Sequence, residues 1–104
     1  MVACAVFKNA NASTREAIPY LLDVQAEVLS GLATRVVVPL YRQGAGVQTI
    51  TRLTPVLSFQ GETLVAMVPE LAGIPCRELG PHVGDLAAAR GEMLAALDLL
   101  LTGF

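Results

Sequence analysis

The residue types that most often do acid–base or metal chemistry are few and widely spaced in this chain. His82 is the only histidine, and no second base or nucleophile accompanies it at a spacing typical of catalysis. Cys4 and Cys76 lack the close spacing of zinc ligands or of a disulfide scaffold. We therefore predict no catalytic residue, no metal site and no cofactor. We expect both cysteines to be small buried residues, and His82 to lie in a turn before a C-terminal helix.

One arginine could take part in a different chemistry. Arg35 follows Thr34, and a cation beside a hydroxyl group could bind a phosphate and assist proton transfer during RNA cleavage. The alternative is that Arg35 ends a strand and forms surface ion pairs. The acidic charge balance and the single histidine favour the second interpretation.

The composition predicts one small domain that associates with another protein surface. The chain has 104 residues, of which 54% are hydrophobic and 15% are charged. This length allows a single domain over residues 1–104 with one modest core. The hydrophobic fraction exceeds what so small a core needs, so we expect a homodimer whose interface covers part of the excess.

The charge pattern argues against nucleic acid and membrane partners. The net charge is −2, Lys8 is the only lysine, and six arginines are scattered along the chain. Such a surface cannot displace many counterions from phosphates, so direct nucleic-acid binding is not expected. No signal peptide and no apolar stretch of membrane-spanning length is recognisable. We expect a cytoplasmic protein with reduced cysteines.

The elements that must position any functional residue are mainly strands. Short apolar or alternating segments predict strands over residues 2–7, 20–26, 35–40, 55–59, 62–68 and 74–79. Gln60-Gly61 predicts a tight hairpin between two of them. Pro39 has no N–H group to donate and is expected at a strand end or bulge. We assign Phe59, Leu64 and Met67 to the core.

The hydrophobic period changes after Gly80-Pro81 and predicts a helix from about residue 85 nearly to the chain end. Its core-facing positions at helical spacing are Leu86, Met93, Leu97, Leu100 and Phe104. A second line is small or polar, at Ala88, Gly91, Ala95, Asp98 and Thr102. The last two turns are apolar almost all round, which indicates burial against a subunit or partner. The expected architecture is a mostly antiparallel β-barrel or bent sheet closed by this helix.

Two adjacent apolar residues form a candidate binding feature. Val28 and Leu29 lie between Glu27 and Ser30, directly after the predicted strand over residues 20–26. Neighbouring residues on a strand point to opposite faces, so both cannot face the core. At least one is therefore exposed unless a partner covers it.

The segment YLLDVQAEVLSGLATRVVVPL, residues 20–40, resembles the Asp-Val-Gln…Arg-(aliphatic)3-Pro-Leu region of the CcdB family of "control of cell death" toxins. The similarity continues through Leu53-Thr-Pro55, Met67, Ile74-Pro75 and Val83-Gly-Asp-Leu86 to the ending ALDLLLTGF. It covers nearly the whole chain. The ending differs from the best-known aromatic-Trp-Gly-aliphatic version, and Asp98 stands where an Asn is usual.

The resemblance implies a homodimeric toxin with an SH3-like antiparallel barrel, a small extra sheet and a C-terminal helix. Such toxins bind the A subunit of DNA gyrase and trap it on cleaved DNA. A CcdA-like antitoxin neutralises them, and the complex represses its own operon through the antitoxin's DNA contacts. By position, the gyrase-binding residues are Val28, Leu29, Asp98, Leu101, Thr102, Gly103 and Phe104.

Two alternatives to a gyrase poison are consistent with the sequence. The first is a barrel-type endoribonuclease toxin using Arg35 and Thr34. The second is a non-toxic homologue that dimerises and binds an antitoxin only.

Overall fold

A computed structural model of the chain describes residues 1–103; Phe104, one of the predicted target-binding residues, lies outside them. Seven strands and one helix follow one another along the chain. They are β1 (Ala5–Asn9), β2 (Tyr20–Asp23), β3 (Thr34–Arg42), β4 (Val56–Phe59), β5 (Glu62–Ala66), β6 (Ala72–Pro75), β7 (Leu79–Asp85) and α1 (Arg90–Thr102). Short 3-10 turns lie between several of them.

All strand pairs are antiparallel and form one curled, half-barrel sheet in the order β4-β5-β3-β2-β1-β7. The long strand β3 organises it: β2 pairs along one side, while β6 and β5 share the other. The resemblance implied a small extra sheet beside the barrel, whereas the described strands form one sheet in which β6 pairs with the first half of β3. A sheet closed by one C-terminal helix confirms the predicted fold class.

The hairpin between β4 and β5 forms as its two turn residues predict. Phe59 pairs with Glu62, leaving Gln60 and Gly61 as a two-residue loop. Their φ angles are 51° and 80°, the pair of positive values that a type I′ turn requires. This turn matches the twist of the flanking strands and sets their register.

Pro39 lies inside β3 rather than at its end, contrary to the prediction. It pairs with Leu21 of β2, and its carbonyl accepts a hydrogen bond from the Met67 N–H at 3.0 Å. In an antiparallel strand, the backbone nitrogen and carbonyl oxygen of one residue point to the same edge. The Pro39 nitrogen, which carries no hydrogen, therefore lies on the edge of β3 that pairs with β6 and β5, at the gap between these two strands. No ladder hydrogen bond is lost there, which explains why a proline is tolerated.

The core lies between the concave face of the sheet and α1. Strand residues such as Leu22, Leu40 and Leu64 are fully buried, and the helix contributes Met93 and Ala96. Burying each large aliphatic side chain contributes about 1.5–3 kcal/mol. Four positions of the predicted helix stripe are confirmed, because Met93 belongs to this cluster and Leu86, Leu97 and Leu100 pack against it; the fifth, Phe104, lies outside the described residues. The assignment of Phe59, Leu64 and Met67 to the core is likewise confirmed.

The C-terminal third contains an element that the sequence pattern did not predict. Residues 79–85 form β7, pairing with β1, where the sequence indicated a strand end and a turn before the helix. Asp85 ends β7 and accepts a hydrogen bond from the Ala87 N–H at 3.1 Å, and α1 itself begins only at Arg90. No helix among the described residues is long and apolar enough to cross a membrane.

Candidate target-binding surface

The first part of the predicted surface is a tight turn instead of a strand. β2 ends at Asp23, and residues Glu27–Leu29 form one 3-10 turn. Val28 is 87% and Leu29 45% exposed, so both side chains face solvent within the protomer. The strand geometry used in the prediction was wrong here, but the exposure that it implied is confirmed. We call residues 27–32 the exposed turn.

Gln25 fastens the exposed turn to the sheet from the buried side. Its Nε2 donates to the carbonyl oxygens of Leu29 at 3.0 Å and Thr34 at 3.2 Å, and its Oε1 accepts from the Val36 N–H at 3.2 Å. The amide thereby replaces the strand pairing that ends at Asp23. A buried side chain that satisfies three backbone groups at once fixes the turn relative to β3.

Arg35 holds the same turn from its other end. Its Nη2 donates to the Ser30 carbonyl at 2.6 Å, and its Nη1 to the Leu32 carbonyl at 2.9 Å. Its Nε lies 3.4 Å from the Asp23 carboxylate, whose other oxygen accepts the Gln25 backbone N–H at 2.9 Å. The guanidinium is therefore surrounded by protein acceptors. We call Asp23, Gln25 and Arg35 the polar triad.

The second part of the predicted surface lies at the end of α1. Asp98, Leu101, Thr102 and Gly103 are all exposed, and Leu101 is 74% exposed. Gly103 adopts a left-handed conformation, with φ 80°, and its N–H donates to the Leu99 carbonyl at 3.0 Å. Little of this segment contributes to the protomer's own core, which leaves it free for a partner.

The helix places the two parts of the surface near its opposite ends. Arg90, the first residue of α1, lies beside the exposed turn, with its Nη2 3.7 Å from a Glu27 carboxylate oxygen. At 1.5 Å per residue, Asp98 and Thr102 lie about 12 and 18 Å further along the helix axis. A partner contacting both parts of one protomer therefore has to cover the length of the helix.

Several exposed apolar residues enlarge the predicted surface. Leu32 in the exposed turn is 51% exposed, and Leu94 on α1 is 43% exposed. The predicted line of small or polar helix positions is also exposed throughout: Ala88, Gly91, Ala95, Asp98 and Thr102. The sequence reasoning missed Leu32. It directly follows the turn residues Ser30-Gly31, and this position, where burial is rare, could have identified it as exposed.

The histidine and the two cysteines do not all lie where the sequence predicted. His82 lies within β7, not in a turn before the helix, and its ring packs against that of Phe7 at a tilt of 43°, with centroids 5.3 Å apart. Cys4 is fully buried, and burial raises the pKa of its thiol above the ordinary value, so it stays protonated and unreactive. Cys76 is only half-buried, contrary to expectation, and its Sγ contacts the Leu32 carbonyl at 3.4 Å.

Arg35 does not have the geometry of a phosphate-binding residue. Only 18% of its side chain is exposed, and its N–H groups already have acceptors in the exposed turn and in Asp23. Its ion pair is with a buried carboxylate, where the sequence indicated a surface one. Thr34 beside it is exposed at the start of β3.

A cleft of about 560 Å³ lies elsewhere, between the 43–54 loop and strands β4 and β5. Its lining includes Arg52 and three threonines but no carboxylate, histidine or cysteine, so it offers no general base that could activate a threonine hydroxyl. Across residues 1–103, no group of three or more metal-binding side chains comes together.

The match to known proteins agrees with this architecture. The CcdB protein family matches residues 4–103, which is nearly the full length of the chain. The chain therefore belongs to the CcdB family, and this membership implies a toxin of a toxin–antitoxin system. No curated protein matches the sequence.

Proposed function

We propose that this toxin poisons DNA gyrase by binding the gyrase A subunit and trapping the enzyme on cleaved DNA. The observation that carries the proposal is the CcdB family match over residues 4–103. The binding residues are Val28, Leu29, Asp98, Leu101, Thr102, Gly103 and Phe104. The structure describes all of these residues except Phe104, and each of them is exposed, as a surface that binds a large protein must be.

The proposed action is binding and not catalysis. The toxin acts as one domain in the cytoplasm, without a cofactor and without touching nucleic acid itself. A CcdA-like antitoxin neutralises it, and the toxin–antitoxin complex represses its own operon through DNA contacts made by the antitoxin. The engaged guanidinium of Arg35 and the buried thiol of Cys4 support a non-enzymatic role.

Growth arrest with DNA damage is expected when the toxin is expressed without an antitoxin. Purified toxin with gyrase and supercoiled DNA should yield linear DNA after denaturation of the trapped complex, and the same toxin should leave RNA intact. Substitutions in the dimerisation region of the gyrase A subunit should relieve the arrest. RNA cleavage, or undiminished killing of a host with resistant gyrase, would show that gyrase is not the target.

A homodimer is expected at micromolar concentration. Among residues 1–103, eight large apolar side chains are substantially exposed: Met1, Val28, Leu29, Leu32, Ile50, Val56, Leu94 and Leu101. Soluble monomers rarely leave so much apolar surface in water. Analytical ultracentrifugation should give twice the mass of 10.9 kDa, and a sedimenting species of one protomer would contradict the proposal.

A further inference from the structure

The exposed turn is too short to hold its own shape. Its internal hydrogen bonds run from Leu29 to Ala26, from Ser30 to Glu27 and from Leu32 to Leu29, all of 2.9–3.0 Å between N and O. Bonds of this i to i+3 type have poor geometry and support only a few residues. The remaining restraints on its carbonyl groups come from side chains outside it.

Apart from the contact of the Cys76 Sγ with the Leu32 carbonyl, these restraints come from the polar triad, whose bonds converge on the turn. Gln25 and Arg35 together occupy the carbonyl oxygens of Leu29, Ser30 and Leu32. Asp23 holds both donors in place, because one of its oxygens accepts the Gln25 N–H and the other faces the Arg35 Nε. We propose that the polar triad positions the exposed turn for target binding, an inference that rests on the proposed function.

The buried carboxylate costs folding stability, which favours a role beyond structure. Burial raises the pKa of Asp23 above its ordinary value, and the Gln25 N–H and the Arg35 charge lower it only in part. A raised pKa means that folding disfavours the charged form, so stability falls as pH rises through this pKa. Carboxyl groups whose pKa is shifted by burial beside a specific charged partner cluster at functional sites.

A positioned turn has a direct advantage for binding. Val28 and Leu29 present their side chains in a fixed arrangement, so a partner does not have to order the turn when it binds. The entropy of ordering a loop and its side chains otherwise reduces affinity. Loosening the turn should therefore weaken binding without removing a single contacting side chain.

Asp23→Asn tests this inference with little change in shape. The amide oxygen can still accept the Gln25 N–H, but an N–H group now faces the Arg35 guanidinium where an acceptor stood. Glu62→Gln is the matched control, since it removes the carboxylate of a separate ion pair, with Arg42. Arg35→Lys is the second variant, because a lysine keeps the charge but cannot reach Ser30, Leu32 and Asp23 together.

Two measurements on the full chain separate positioning from folding. Amide hydrogen exchange at Leu29, Ser30 and Leu32 should accelerate by about tenfold or more in Asp23→Asn and Arg35→Lys. The Kd for a purified gyrase A dimerisation fragment should rise by about tenfold, the cost of ordering a few groups. Glu62→Gln should leave both values at those of the wild type, and Asp23→Asn should remain folded, with the far-UV circular dichroism spectrum of the wild type.

A double-mutant cycle shows whether the triad acts through Val28. Val28→Ala should weaken binding less in the Asp23→Asn background than in the wild type, because the turn that presents Val28 is already loosened. Additive losses would overturn the inference, as would wild-type exchange at the turn in both triad variants. Wild-type toxin that fails to bind the fragment would instead contradict the proposed function, while exchange would still report whether the triad holds the turn.

Discussion

Deletion of Thr102–Phe104 is expected to abolish growth arrest while leaving the melting temperature and dimerisation nearly unchanged. Thr102 and Gly103 are exposed, and their hydrogen bonds return to the carbonyls of Asp98 and Leu99 within the same helix end. Removing them leaves the core residues Met93 and Ala96 in place. Loss of a terminal aromatic anchor should cost about 2 kcal/mol or more of target-binding free energy, roughly a 30-fold rise in Kd.

Charge reversal on the same helix provides a matched pair of variants. Asp98→Lys should also abolish growth arrest, and it should not destabilise α1 because a cation near a helix C-terminus is favourable. Glu92→Lys reverses an exposed charge at the opposite end of α1 and should kill as the wild type does. Growth arrest and melting temperature are measured for each. A truncated protein that still kills would show that the poisoning surface lies elsewhere, and one that unfolds would show that these residues are structural.

Gly80→Ala is expected to destabilise the fold by about 3 kcal/mol, because it overpacks a site with no room. Between the pairs Phe7–His82 and Asn9–Leu79, Gly80 and Pro81 of β7 oppose the single residue Lys8 of β1. This is a β-bulge. A Cβ atom at Gly80 would meet the Lys8 carbonyl group at clashing distance. The obstacle is backbone, so relief requires β1 and β7 to move apart.

Gly91→Ala is the matched control for this substitution. Gly91 lies in α1, and a Cβ atom there would have no neighbour within 4 Å. The change should raise stability by about 0.5–1 kcal/mol, since alanine favours helix. Urea denaturation followed by circular dichroism measures both variants. An unfolding midpoint of Gly80→Ala equal to that of the wild type would contradict the packing that the structure shows around the bulge.

The sequence predicted those parts of the fold that local patterns control. Helical spacing of Met93, Leu97 and Leu100 identified the face of α1 that packs on the core. Gln60-Gly61 identified a hairpin, because few residues other than glycine and a polar neighbour adopt two successive positive φ angles. Gly103 ends the helix for the same reason. In each case, the backbone preference of a few neighbouring residues decides the structure.

Strand β7 illustrates what the local pattern could not predict. Gly80, Pro81 and Gly84 are poor strand residues, and the predicted helix pattern began near Asp85. They form a strand because β1, more than seventy residues earlier in the chain, supplies the hydrogen-bonding partner. Pairing of this kind is a property of the assembled sheet and leaves no periodic signal in either segment alone.

The candidate site was likewise predicted only in part from the sequence. Sequence similarity selected Val28, Leu29 and the chain end, and their apolar or small character indicated exposure to a partner. The polar triad emerged only from the tertiary structure, because alternation along residues 20–26 made Asp23 and Gln25 resemble the solvent-facing side of a strand. In the folded protein β2 ends at Asp23, and both side chains turn inward to satisfy backbone groups that no strand reaches. The complete fold buries backbone groups that no strand pairs, and such groups need hydrogen-bonding partners. Asp23 and Gln25 are buried because they supply these hydrogen bonds.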